Sequence, residues 1–303
     1  MTKIATPDLV NAIDASGLGK KYHSFWALKN CDITIPAGAI VALVGPNGAG
    51  KTTLLKLLAG LNRPSVGEVT ALGLAPGQTT EYLSNISYLA QQIPLYGQMT
   101  AVDHLAIGRH TEAYWDNDLA LRRLTELKIP LDRPVEKLSG GQRAQVGLAM
   151  TLAKKLKLLL LDEPVAALDP LARAEFLASL TQAVADAEGE LTVVMSSHLL
   201  SDLERVCDHV IILASGQTQI CSSVEQVVES HKLLVGPPNQ PLPQGDYTIV
   251  QEARSSATSH IIVRLNDQQP TIPGWHVRDV DIEEVVLAYM KQARTNQGQG
   301  GAQ

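Results

Sequence analysis

Three short stretches hold the residues whose types and spacing could do chemistry. The first is GPNGAGKTT, residues 45–53, between the apolar run AIVALVG and the helical stretch TTLLKLLAGL. Glycines let successive backbone N–H groups turn toward one point, and the positive end of the following helix adds to them. The spacing Gly45-x4-Gly50-Lys51-Thr52 lets Lys51 reach β- and γ-phosphates and lets the Thr52 hydroxyl ligate magnesium. The expected triphosphate cradle is therefore Gly45, Pro46, Asn47, Gly48, Ala49, Gly50, Lys51, Thr52 and Thr53.

The second stretch is LLLLDEP. A buried apolar strand delivers Asp162 to its carboxyl end, where ligands collect in α/β sheets. Asp162 is expected to hold the magnesium shell. Glu163 follows at once, and a carboxylate facing the γ-phosphate can orient the attacking water. A solvated acidic pair capping the next helix is the plainer alternative. The four leucines before the pair and the phosphate loop upstream disfavour it.

The third stretch is KLSGGQRAQVGLAM. Ser139, Gly140, Gly141 and Gln142 form a small turn at the mouth of a helix, an anion site by its backbone alone. A chain that already carries a phosphate loop has no obvious use for a second one. Two further residues end strands on the expected ligand side. His198 closes TVVMSSH and can donate to a γ-phosphate, although a lone histidine is more often structural. Gln91 follows ISYLA and can sense magnesium or water, against the plainer reading of an ordinary loop residue.

The elements that must position these residues follow from the apolar patterning. AIVALVG, LKLLLLDEP, LTVVMSSH and HVIILASGQ read as buried strands separated by helices, hence a parallel α/β sheet. Between residues 92 and 150, TAVDHLAIGRHTEAYW and DLALRRLTELKI are amphipathic with little strand character, which predicts a helical insertion. After residue 221 the Pro-rich linker LLVGPPNQPLPQGDY leads into the short strands YTIVQ and HIIVRL and the helix DIEEVVLAYMKQA. Residues 222–293 are expected to form a small α/β module, and residues 294–303 a low-complexity disordered tail.

The chain has 303 residues, 31 acidic against 25 basic, which counts against a general nucleic-acid binder. Its three cysteines show no metal spacing and fit a reducing compartment. The N-terminus has no basic start before an apolar run, so no signal peptide is expected. No apolar run approaches the roughly 20 residues of a spanning helix, so any membrane span is expected from another chain.

In order and spacing, residues 45–52, Gln91, residues 138–142, Asp162–Glu163, the AALD of residues 166–169 and His198 resemble the ATP-binding cassette ATPases. The resemblance spans about residues 12–222. It implies a P-loop NTPase fold of the α/β class, with a mixed, mainly parallel sheet, a helical subdomain insertion and a small C-terminal extension. The cassette is expected to occupy residues 1–221. The resemblance further implies ATP and Mg²⁺ as ligands. It implies a head-to-tail dimer in which Ser139 and Gly141 touch the γ-phosphate held by the partner's Lys51, with Asp169 linking the two sites. Tyr22 matches the aromatic that stacks on adenine, against plain packing beside Phe25 and Trp26. Gln91 would couple to a multi-span permease, the helical insertion being its docking surface, and the chain would lie peripherally on the inner face of the cell membrane. Two positions depart from the pattern: Gln92 where many relatives carry an acid, and Ala167 where many carry glycine. Neither removes a catalytic group, so an active ATPase is expected.

EPVAALDPLARAEFL and the closing DVDIEEVVLAYMKQA resemble the drug- and antibiotic-exporter branch, which implies export. A non-transport cassette protein that regulates through its C-terminal module is the alternative. A P-loop kinase or GTPase is excluded, since there is no Asn-Lys-x-Asp motif and neither uses LSGGQ.

Overall fold

A computed structural model describes residues 10–112, 114–197, 206–238, 240–241, 245–266 and 274–300, with side chains to residue 294. The chain opens with an antiparallel hairpin of β1 (Asn11–Tyr22) and β2 (Phe25–Pro36), followed by β3 (Ile40–Val44), α1 (Lys51–Leu58) and β4 (Val66–Ala71). β2, β1 and β4 form a three-stranded antiparallel sheet in that order.

A short α2 (Thr80–Ser84) and β5 (Ile86–Leu89) lead into a helical region of α3 (Ala101–Thr111), α4 (Asn117–Glu126), a 3-10 turn (Val135–Lys137) and α5 (Gly140–Leu152). No strand lies between β5 and the end of α5 among the described residues, as the amphipathic patterning predicts. Thr100 and Asp103 cap α3 reciprocally, so two backbone donors at its start are satisfied by side chains. This region has a core of its own, built from Leu105, Leu124, Val146 and their neighbours.

The main sheet is completed by β6 (Leu158–Asp162), β7 (Thr192–Ser197), β8 (His209–Ala214) and β9 (Gln217–Ser223), with α6 (Pro170–Asp186) crossing between β6 and β7. Its order is β5-β6-β7-β3-β8-β9. The first four pairings are parallel and β8–β9 is antiparallel. The reversal at β9 is set by a tight turn in which Ser215 and Gly216 both take left-handed φ angles, 51° and 75°. All five residues of β3 are buried, and their alternation divides the interior. Val41 and Leu43 face α1 and the antiparallel sheet, whereas Ile40, Ala42 and Val44 face α5 and α6. Burial on both faces explains why these strands read as continuous apolar runs.

The C-terminal part comprises α7 (Val224–Ser230), β10 (His231–Gly236), β11 (Tyr247–Arg254), β12 (Ser259–Leu265), β13 (His276–Asp279) and α8 (Ile282–Gly300). Its sheet is antiparallel, ordered β11-β12-β10-β13. β9 crosses the boundary expected at residue 221, and α8 continues helical through residues composed like a tail. Val285, Val286 and Tyr289 of α8 share one core with Val210 and Ile212 of β8.

Candidate functional site

The phosphate loop leaves the carboxyl end of β3, between β7 and β8, where the sheet order turns back on itself. Two of its glycines are demanded by their surroundings. A Cβ at Gly45 would fall 2.2 Å from the Leu213 carbonyl oxygen. At Gly50, the residue before α1, φ is 104° and a Cβ would lie 2.6 Å from the Ala27 carbonyl oxygen. A Cβ at Gly48 would meet nothing within 4 Å, so the loop opens there onto the cleft.

Lys51 is buried at 6% exposure, and its ammonium donates to the carbonyls of Gly45 at 2.8 Å and Pro46 at 3.3 Å. Burial lowers its pKa, an effect partly offset by the carboxylates of Glu163 and Asp162. Glu163 Oε1 lies 3.7 Å from the same ammonium.

Asp162, at 4% exposure, ends β6 and takes hydrogen bonds from three hydroxyls. Its Oδ1 accepts from Thr52 at 3.1 Å and Ser196 at 2.9 Å, and its Oδ2 accepts from Tyr88 at 3.0 Å. Burial and the adjacent Asp162 charge push the Tyr88 phenol pKa up, so it stays a donor. Thr52 and Asp162 together offer hard oxygen ligands beside the phosphate loop, the donor chemistry magnesium takes when phosphates complete its shell. Among the described residues there is no cluster of three or more His, Cys, Asp or Glu that could hold a metal ion. Glu163 takes a left-handed φ of 48°, a conformation that costs about 1–2 kcal/mol in a non-glycine residue. Its backbone N–H donates to Ser196 Oγ at 2.9 Å, which helps hold it there.

A cleft of about 510 Å³ joins Lys51, Thr52, Glu163 and Gln91 to the tip of the β1–β2 hairpin at Tyr22 and Phe25. Tyr22 thus lines the same cleft as the glycine-rich loop, its hydroxyl accepting from the Asn62 amide at 2.9 Å. Gln91 is exposed at the cleft wall. The expectation for His198 lies outside the described residues. Ser196, Tyr88 and Phe25 were missed in the sequence. The signal for the first lies in register, since Ser196 sits directly opposite Asp162 on the neighbouring parallel strand.

Ser139 is absent from the lining of this cleft. It caps α5 instead: Ser139 Oγ accepts from the Gln142 N–H at 3.1 Å, and Gln142 Oε1 accepts from the Ser139 N–H at 3.0 Å. Ser139 is exposed, and a Cβ at Gly141 would meet Ala172 Cβ at 2.6 Å, so α5 begins hard against α6. Asp169 caps α6 by accepting from the N–H groups of Leu171 and Ala172.

Comparison with known proteins finds relatives in sequence and in fold. A family profile described as ABC transporter matches residues 28–166. A sulfate/thiosulfate import ATP-binding protein of Synechococcus elongatus is 30% identical, over 95% of this chain and 91% of its own length. A thiamine import ATP-binding protein of Vibrio cholerae is 36% identical, over 66% of this chain and 85% of its own. Among solved structures, an ATP-binding subunit of an ABC transporter superposes with a TM-score of 0.63 at 26% identity, over 72% of this chain and 92% of that one. A dimeric bacterial ABC transporter cassette shares the fold, with a TM-score of 0.61 at 24% identity, over 70% of this chain and 98% of that one.

Proposed function

The chain belongs to the ABC transporter family as an ATP-binding, ATP-hydrolysing subunit, and we propose that two copies sandwich ATP and drive a separately encoded membrane permease. The observation that carries this reading is the meeting of Thr52, Asp162, Lys51 and Glu163 at one loop mouth. Lys51 leaves the Gly45 and Pro46 carbonyls to neutralise the γ-phosphate. Thr52 and Asp162 would hold Mg²⁺, which would supply positive charge against the charge that develops on the phosphates. Glu163, parted from Lys51, orients the attacking water, and Gln91 reports the state of the cleft to the helical region.

Ser139 supports the dimer. Within one chain Ser139 is exposed and lines no part of that cleft; the cap uses the N–H groups of Ser139 and Gln142 and leaves those of Gly140 and Gly141 for a second copy. In a head-to-tail pair, Ser139 and Gly141 would close on the γ-phosphate held by the partner, expel water and complete the site. No helix among the described residues is long and apolar enough to cross a membrane; the permease would be a separate chain, with this subunit peripheral on the membrane's inner face.

The direction of transport has two readings. EPVAALDPLARAEFL and DVDIEEVVLAYMKQA support export by resemblance. The curated relatives named above count against it, since both are import proteins. Inverted vesicles carrying the chain and its permease separate the two: ATP-dependent accumulation means export, and ATP-dependent loss of preloaded substrate means import. A regulatory cassette without a permease would co-purify with no membrane protein at all.

The catalytic assignment is tested with Glu163→Gln. The variant is expected to bind ATP with unchanged affinity and to hydrolyse it at least 100-fold more slowly, in line with loss of a general base. Hydrolysis at the wild-type rate would remove Glu163 from the water-activating role.

A further inference from the structure

We propose that Phe25 is a second stacking residue for the nucleotide base, forming with Tyr22 a two-ring platform at the mouth of the cleft. The inference rests on the nucleotide reading of the site and concerns base recognition, which the phosphate loop cannot supply.

The hairpin sorts its aromatics onto two faces. Tyr22 pairs directly with Phe25 across the two-residue turn His23–Ser24, and Lys21 pairs with Trp26. Directly opposed residues of an antiparallel pair project to the same face, with Cβ atoms about 4.5–5.5 Å apart. Successive pairs alternate faces. Tyr22 and Phe25 therefore stand side by side, and both line the cleft with Asn47, Lys51 and Thr52. Trp26 takes the other face, where the Lys21 ammonium lies 5.5 Å from its ring centre.

The two rings are held differently. The Tyr22 hydroxyl accepts from Asn62, and the Lys20 ammonium lies 5.2 Å from the ring centre, so one face of this ring is already occupied. Phe25 is 64% exposed, and neither ring stacks on another ring among the described residues. A large apolar ring at a cleft mouth, unused by the core, leaves a flat face open to a flat ligand. The platform is also fixed against the phosphates, because two residues beyond Phe25 the Ala27 carbonyl fills the space a Cβ at Gly50 would need. Base and triphosphate are thereby read by adjacent parts of one rigid contact between β2 and the phosphate loop.

Phe25 has no hydrogen-bonding atom, so its contribution depends on the π-face of the base and accepts any purine. Stacking of this kind weakens by roughly 5- to 100-fold on truncation to alanine, and an exposed ring belongs near the lower end.

Calorimetric titration of the wild type, Phe25→Ala and Phe25→Tyr with ATP, GTP and inorganic tripolyphosphate tests the proposal. Tripolyphosphate keeps the phosphates and lacks a base. Phe25→Ala is expected to weaken ATP and GTP alike, by about 5- to 10-fold, to leave tripolyphosphate unchanged, and to be rescued by Phe25→Tyr. Unchanged ATP affinity, or an equal loss for tripolyphosphate, would overturn it. A wild-type chain that binds neither ATP nor tripolyphosphate would instead overturn the nucleotide reading beneath it.

Discussion

Asp162 is the residue on which the site turns. A carboxylate at 4% exposure is tolerable only if its lone pairs are used, and Thr52, Ser196 and Tyr88 use them. Ser196 does more than the others, because it also accepts from the Glu163 N–H. Ser196→Ala should therefore destabilise the fold by about 1.5–3 kcal/mol, the usual worth of a hydrogen bond to a charged group. Thermal unfolding would measure this, and the Mg²⁺ concentration for half-maximal hydrolysis should rise with it. Asp162 and Glu163 were legible because four leucines and an acidic pair are a local pattern. Ser196, Tyr88 and Phe25 were not, because their roles come from strand register and hairpin pairing, which bring together residues distant in sequence or divide near neighbours between faces.

At the scale of elements, the C-terminal part is held together from within by His231. This residue is buried at the start of β10, its Nδ1 donating to the Val227 carbonyl at 2.7 Å and its Nε2 accepting from the Tyr289 hydroxyl at 3.1 Å. α7, β10 and α8 thus meet at one imidazole. Burial, with the charges of Arg264 and Lys232, lowers its pKa below the ordinary 6.5, although the Val227 carbonyl works the other way. The unfolded chain then takes up the proton first as pH falls, so this contribution is complete above 6.5 and is lost below it. Urea unfolding across that window should show stability falling by at most about 1.4 kcal/mol per pH unit for this group. His231→Gln should flatten that slope. Asp169→Ala, which leaves two α6 donors uncapped, should cost about 1 kcal/mol in thermal unfolding.

Elements with a strong local signature were the readable ones. β3 is an unbroken apolar run, β6 is four leucines before Asp162, β7 carries Val193, Val194 and Met195 at its centre, and α3 announces itself with Thr100 and Asp103. The hairpin of β1 and β2 was not read, because register shifts and glycines at 17 and 19 break its alternation. β13 is four residues with none buried, and is defined only by its pairing with β10.

At the scale of the whole molecule, the proposed function rests on two surfaces that lie apart in one chain. The phosphate loop lines a cleft that lacks Ser139, and Ser139 caps a helix whose mouth opens to solvent. The account therefore stands on association driven by nucleotide, and light scattering of the slow variant reads it most directly. Glu163→Gln should double in mass on adding ATP. Glu163→Gln combined with Ser139→Arg should stay monomeric while binding ATP as tightly as Glu163→Gln alone. A double variant that dimerises like the single one would contradict the role of the turn across the interface, as would one that loses ATP affinity as a monomer.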